Sequence, residues 1–255
     1  SSGHLVLTHA LFGAGSSDLA FDATLQLATV LAVLVYFWKD LLSIALNFFR
    51  IILKKEVSQN DKTIVWALLL GTIPAVAFGL LLESKMETVF RNTSLVAVAL
   101  LFGSALMYLA ERYYYGSRQG EALAGNQGVS LVKKELTIVS GITIGLYQCL
   151  ALIPGVSRSG ATISGGLFQG LSREEATRFS FLLSFPIIFG SGLKQFIGLA
   201  GTGSALSFSL LASFLVAFIT GYFAIRFLIS YLKNHSLNIF IWYRVILAVV
   251  ILFFI

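Results

Sequence analysis

Charge is scarce in this chain. Only 12% of its 255 residues are Asp, Glu, Lys or Arg, while 57% are hydrophobic. A soluble domain of this length needs more charge to cover its surface, so a water-soluble globular protein is excluded. Cysteine is scarcer still. Cys149 stands alone, which excludes an internal disulfide and a thiolate metal cluster. A single thiol in an apolar run reads as a small packing residue. No basic n-region with a cleavage site marks a signal peptide. The sequence opens without Met, at SSGHLVL, and is expected to be a piece of a longer chain.

What the sequence has instead is long apolar runs. Runs of about 18 or more apolar residues are membrane spans. Six are expected here, at 20–38, 62–82, 92–112, 179–200, 206–232 and 238–255. The net charge of +6 does not point to nucleic acid, because the basic residues sit in short loops between the runs. Lys39, Arg50, Lys54, Lys55 and Lys62 lie in or beside the first long loop; Arg112, Arg118, Lys133 and Lys134 flank the second. Arg173 and Arg178 flank a third, and Lys233 lies in a fourth. The opposite loops hold only Lys85 and Arg91, offset by Glu83 and Glu87. The positive-inside rule makes the basic loops cytoplasmic.

That topology requires residues 136–170 to enter from the cytoplasm and return to it. An apolar half, Leu136–Ile153, is followed by a Pro-Gly break and a half rich in Gly, Ser and Thr. The pattern predicts a re-entrant hairpin whose loop lines a cavity, since irregular backbone at membrane depth is tolerated only there or inside protein. A second copy is legible. The segment from Ser2, SGHLVLTHALFGAGSSDLAF, answers the segment from Ser159, SGATISGGLFQGLSREEATRF. Leu11-Phe12 answers Leu167-Phe168, and each copy runs on into a span of opposite direction. Inverted repeats place polar sites near the midplane at the repeat interface. The expected fold is therefore an all-α integral membrane protein, a single domain over 1–255. It is built from an interdigitated inverted repeat of 1–112 and 136–255, with the entering half of the first hairpin missing. The two hairpin tips, SSGH and SRSG, are expected to face each other.

The tips carry the chemistry. Arg158 keeps its charge at any physiological pH, and an intramembrane charge marks function by default. Its fork matches phosphate oxygens. Ser157, Ser159 and Thr162 add hydroxyls, Gly155 and Gly160 allow close backbone approach, and a half-helix after Gly160 points its positive end at the loop. The competing reading is that Arg158 only staples the hairpin to backbone carbonyls. At the other tip, His4 sits beside Ser1, Ser2 and Gly3. A histidine at a phosphate cavity serves as acid, base or nucleophile. Gln148, in the entering half of the second hairpin, orients the loop or the substrate. Asp22, four residues before Gln26 on one helix face, is either a metal ligand or a helix-end charge. Tyr113–Tyr115 read as an aromatic belt, His9 and His235 as bystanders, and GTIPAVAFG (71–79) as a helix-packing or kink segment.

SSGH, AFDATLQLATVLAVLVYF, GTIPAVAFGLL and above all QCLALIPGVSRSGATISGG resemble the undecaprenyl-pyrophosphate phosphatase family of the bacitracin-resistance type, in order along essentially the whole chain. The resemblance implies an enzyme of the bacterial inner membrane, its site opening to the periplasm. That enzyme converts undecaprenyl pyrophosphate to undecaprenyl phosphate and inorganic phosphate, recycling the carrier lipid of cell-wall synthesis. It implies a divalent cation, Mg2+ or Ca2+, and a polyprenyl pyrophosphate partner within the bilayer, with no nucleic acid. Carried over by position, Ser1, His4, Ser157 and Arg158 match family active-site residues. Arg158 clamps the pyrophosphate, Ser157, Ser159 and Thr162 cradle oxygens, and His4 or Ser1 supplies nucleophile or base. The family also has two glutamates, four apart, ahead of the first tip; this chain begins after that position.

Two other readings are weighed. Type 2 phosphatidic acid phosphatases also carry S-G-H and S-R loops, but they need a histidine six residues after the arginine, where Ser164 stands here. A polyprenyl-phosphate transporter or flippase uses the same inverted-repeat cavity without releasing phosphate.

Overall fold

The computed structural model describes His4, Leu7, Thr8 and residues 18–88, 93–123, 135–200 and 208–254, and among them every regular element is helical. In chain order these are α1 (Asp18–Tyr36), α2 (Trp38–Ile52), α3 (Gln59–Thr88), α4 (Thr93–Leu123), α5 (Ile138–Leu150), α6 (Arg158–Phe168), α7 (Arg173–Ala200), α8 (Phe208–Asn234) and α9 (Asn238–Phe254).

Four helices have segments long and apolar enough to cross a bilayer: Gln59–Leu82, Thr93–Ser117, Arg173–Lys194 and Leu210–Asn234. They correspond to the expected spans at 62–82, 92–112, 179–200 and 206–232. Leu81, Val216, Phe227 and Trp242 stand exposed on the surface, where only lipid gives them a favourable neighbour. The expected last span, 238–255, forms a helix of 17 residues, at the short end of what a bilayer needs.

The first expected span differs more. Its helix ends at Tyr36, and the chain turns by 78° into α2, so the bent pair raises the candidate spans to five at most. Residues 38–52, expected as loop, are helical because Trp38, Leu42, Leu46 and Phe49 recur on one face at helical spacing. These four are exposed. Asp40 on α2 accepts from Arg178 of α7 at 3.0 Å, which ties the turned helix to the end of the bundle.

Local signals fix the remaining boundaries. Ser58 caps α3 by accepting from the Asp61 N–H at 3.1 Å. Thr137 caps α5 through the Ser140 N–H at 3.0 Å. Ser172 and Glu175 form a reciprocal capping box at the start of α7. The chain leaves α6 through Gly170 at φ 84°, where the Leu171 N–H bonds back to Gly166 at 3.0 Å; this is the glycine-terminated helix end that a side chain would strain.

The predicted helix–loop–helix around the Pro-Gly break is present as α5, a loop at 151–157, and α6. α5 packs on α3, α6 packs on α4, α5 and α7, and α9 packs on α4. The α3–α5 contact is backbone to backbone. A Cβ at Gly141 would meet Ala67, and one at Gly145 would meet the Gly71 backbone. Small residues at such seams let helices associate without a water-driven hydrophobic force, which is the packing role expected of the 71–79 segment.

Candidate active site

The loop between α5 and α6 is shaped by two residues with positive φ. Gly155 sits at 102° and Ser157 at 74°. Glycine adopts such angles freely, whereas a residue with a Cβ does so at a cost of about 1–3 kcal/mol. At Gly155 a Cβ would also run into the Val96 carbonyl and the Ala99 methyl on α4. Ser157 is held by its own cap: its Oγ accepts from the Gly160 N–H at 3.1 Å and lies 3.4 Å from the Ser159 Oγ.

Arg158 is not on the loop, as the sequence suggested, but is the first residue of α6. A cation at a helix N-terminus adds to the positive end of the dipole instead of offsetting it. The Arg158 side chain is half-buried. Among the described residues, no carboxylate or carbonyl accepts a hydrogen bond from it. The expected alternative, that Arg158 staples the hairpin to carbonyls, therefore has no support in its contacts.

A different arginine does the stapling. Arg244 of α9 is 8% exposed. Its Nη2 donates to the carbonyls of Gly155 at 2.8 Å, Val156 at 3.0 Å and Leu100 at 3.1 Å. Its Nε donates to the Ser104 Oγ at 3.3 Å. Sequence reasoning passed over this residue as part of an apolar run. The signal was available, because a lone arginine six residues into such a run carries the same default meaning as Arg158.

The other expected site residues fall as follows. His4 Nε2 is hydrogen-bonded to the Tyr243 hydroxyl at 2.6 Å, so adjacent residues of α9 reach His4 and the Gly155–Val156 turn. Leu7, one turn on, packs with Val96, Leu100 and Ala248 of α4 and α9. Ser1, Ser2 and Gly3 lie outside the described residues. Thr162 is fully buried; its Oγ1 donates to the Arg158 carbonyl at 2.8 Å and lies 2.6 Å from the Ser180 Oγ. Its hydroxyl is thus engaged inside the fold, tying α6 to α7. Gly160 is buried against the Met107 sulfur. Gln148 closes the buried face of α5 at 1% exposure, and neither its amide nitrogen nor its amide oxygen has a hydrogen-bond partner. Buried polar atoms are almost always partnered, so this amide is the most conspicuous unmet donor and acceptor near the loop.

Asp22 lies on α1 one turn before Gln26, whose amide donates to Ser191 of α7. Among the described residues there is no group of three or more His, Cys, Asp or Glu that could hold a metal ion.

The apolar helices define a multi-pass membrane protein, and within it a half-buried guanidinium with no hydrogen-bond or ionic partner among the described residues stands at a helix N-terminus. Family comparison narrows that class. The family model for bacitracin resistance protein BacA matches residues 1–250. The curated undecaprenyl-diphosphatase of Desulforudis audaxviator is 41% identical over 254 residues, covering 99% of this chain and 89% of the relative. That of Chlorobaculum tepidum is 40% identical over 255 residues, covering 98% and 88%. That of Methanosphaera stadtmanae is 37% identical over 260 residues, covering 98% and 89%. The chain belongs to the bacitracin resistance protein BacA family.

Proposed function

We propose that the protein hydrolyses undecaprenyl pyrophosphate to undecaprenyl phosphate and inorganic phosphate, with Arg158 as the group that grips the pyrophosphate. The observation that carries the role of Arg158 is its lack of a hydrogen-bond or ionic partner among the described residues, at the positive end of α6. An anion there satisfies the guanidinium and the helix end together. As the terminal phosphoryl group transfers, charge spreads over its oxygens, and a fixed bidentate cation stabilises that state more than the ground state. Ser157 and Ser159 present hydroxyls beside it. His4, oriented by Tyr243, or Ser1 serves as base or nucleophile. The cleaved bond is the P–O bond to the bridging oxygen, water supplies the incoming oxygen, and the lipid monophosphate leaves.

In this reading the lipid tail lies among the exposed apolar helices, the α5–α6 hairpin is re-entrant, and the two halves of the chain form the inverted repeat with six spans. The protein sits in the bacterial inner membrane with its site toward the periplasm. The family's need for Mg2+ or Ca2+ is carried as part of the proposal, and chelation by EDTA is expected to abolish release that added Mg2+ restores.

The test is phosphate release from undecaprenyl pyrophosphate by the purified protein in detergent. Release establishes hydrolysis; movement of the lipid across vesicles with no phosphate released would replace it with the transporter reading. Gln148 sharpens the test. Gln148→Met removes two unpartnered buried polar atoms, so the unfolding midpoint is expected to rise, by the equivalent of ~1–3 kcal/mol. If the amide meets substrate or its hydrating water, kcat/KM falls about ten-fold in the same variant. A midpoint that rises with unchanged kcat/KM would remove Gln148 from the site.

A further inference from the structure

The Gly155–Val156 turn has almost no backbone support of its own. Val156 N–H reaches the Ile153 carbonyl at 3.2 Å, but the carbonyls of Gly155 and Val156 accept only from Arg244 among the described residues. Immediately after them comes Ser157, a residue with a Cβ held at φ 74°, and then Arg158. A strained residue persists only where its surroundings fix it from both sides. Downstream, the fixing contact is the bond from the Gly160 N–H to the Ser157 Oγ. Upstream, it is Arg244.

Arg244 is an expensive way to hold a turn. It is buried, and among the described residues only carbonyls and one hydroxyl accept from it, with no carboxylate to balance its charge. A buried charge balanced this way is weak evidence for a stability role, since apolar packing does that more cheaply. What a guanidinium supplies, and apolar packing cannot, is several donors in a rigid fork that fix carbonyls from two segments at once. Here those segments are α4 at Leu100 and the turn. α4 makes room for the arrangement at Gly103, where a Cβ would collide with the Arg244 guanidinium and the Val156 carbonyl together.

The neighbouring residue on α9 extends the same logic. Tyr243 is bonded to His4, so one turn of one helix carries the contacts to both chemical groups. We propose that Arg244 is a positioning residue for the reaction: it fixes the turn that aims Ser157 and Arg158, and α9 sets those two residues in register with His4. This rests on the phosphatase reading, because it assigns Arg244 an effect that travels through Arg158 to the pyrophosphate.

The experiment measures kcat and KM for phosphate release from undecaprenyl pyrophosphate, with heat unfolding of each purified variant alongside. Arg244→Ala and Gly103→Ala disturb the same contact from α9 and from α4. Each is expected to lower kcat about a hundred-fold, the scale of an ångström-sized misplacement of a catalytic group. Arg244→Lys, which keeps the charge and some donors, recovers part of the loss.

The deciding comparison uses Arg158→Lys, which has already lost the fork. There, adding Arg244→Ala is expected to cost less than about three-fold, because coupled residues are not additive. A purely structural staple predicts that the two losses multiply, which overturns the proposal. So does unchanged kcat in folded Gly103→Ala and Arg244→Ala. Should Arg244→Ala fail to fold, Gly103→Ala and Arg244→Lys carry the same comparison. Wild-type release with unaffected variants sinks this inference alone; no release from the wild type sinks the phosphatase reading, and this inference with it.

Discussion

Arg158→Ala is expected to lower kcat/KM for phosphate release about a thousand-fold, the scale of losing a preorganised transition-state cation, without destabilising the protein. The two halves of this expectation come from one observation. The guanidinium is half-buried at the start of α6 and has no hydrogen-bond or ionic partner among the described residues. Removing it breaks no hydrogen bond or ion pair among the described residues, and it relieves a charge aligned unfavourably with the helix dipole, so the unfolding midpoint holds or rises by the equivalent of ~0.3–1 kcal/mol. Arg158→Lys keeps the charge but presents it at a single point, and is expected to recover only part of the rate. The checks are initial-rate kinetics and heat unfolding on the same preparations. A variant that loses activity and stability together would mean that Arg158 is a structural staple after all.

Glu111→Ala is expected to have the opposite character: a large loss of stability from a residue away from the Arg158 tip. Glu111 of α4 is buried. It takes both forks of Arg173, at 2.9 and 2.6 Å, and the Leu237 N–H at 2.9 Å. One carboxylate thereby joins α4 to the start of α7 and to the turn that leads into α9. Arg173 also lies over the rings of Tyr114 and Tyr115, 4.6 and 4.9 Å from their centroids. Truncating Glu111 strands a partly buried cation and a buried N–H, at a cost of about 3–5 kcal/mol for the broken pair. Combining Glu111→Leu with Arg173→Met is expected to lose much less, since the uncompensated charge goes too. The measurement is the unfolding midpoint of the single and double variants. A single variant as stable as the wild type would show that the pair contributes nothing.

Much of the fold was legible because a bilayer imposes simple rules. Apolar runs at 62–82, 92–112, 179–200 and 206–232 had to be helices, and the Pro-Gly break inside 136–170 had to interrupt one. The helix at 38–52 was hidden by its charges, which drew attention from the apolar row at Trp38, Leu42, Leu46 and Phe49. Arg244 was hidden in the reverse way: a hydropathy window averages one arginine into its apolar neighbours. The Glu111–Arg173 pair is not local in sequence: Arg173 read as a loop-flanking charge, and Glu111 fell inside the expected span at 92–112. At the site, residue types and spacing pointed to Arg158 and an anion. Which arginine is already occupied by the fold is a three-dimensional fact, read from the hydrogen bonds of the Arg244 side chain and from the lack of any to the Arg158 guanidinium among the described residues.

The seam between α3 and α5 has a further consequence for motion. With Gly71, Gly141 and Gly145 bringing the two backbones together, α5 has no side-chain cushion on that face to roll on. Rotation about its own axis drives a Cβ into a facing main chain, and sliding by one residue brings a larger side chain to the seam. The outer limb of the hairpin is therefore an anvil. The inner limb, α6, is held as closely: it is buried from Gly160 to Leu167, its Gly166 lies against Ala176, and Thr162 meets the Ser180 hydroxyl, so any give needed to admit a headgroup or let phosphate out falls outside the two limbs.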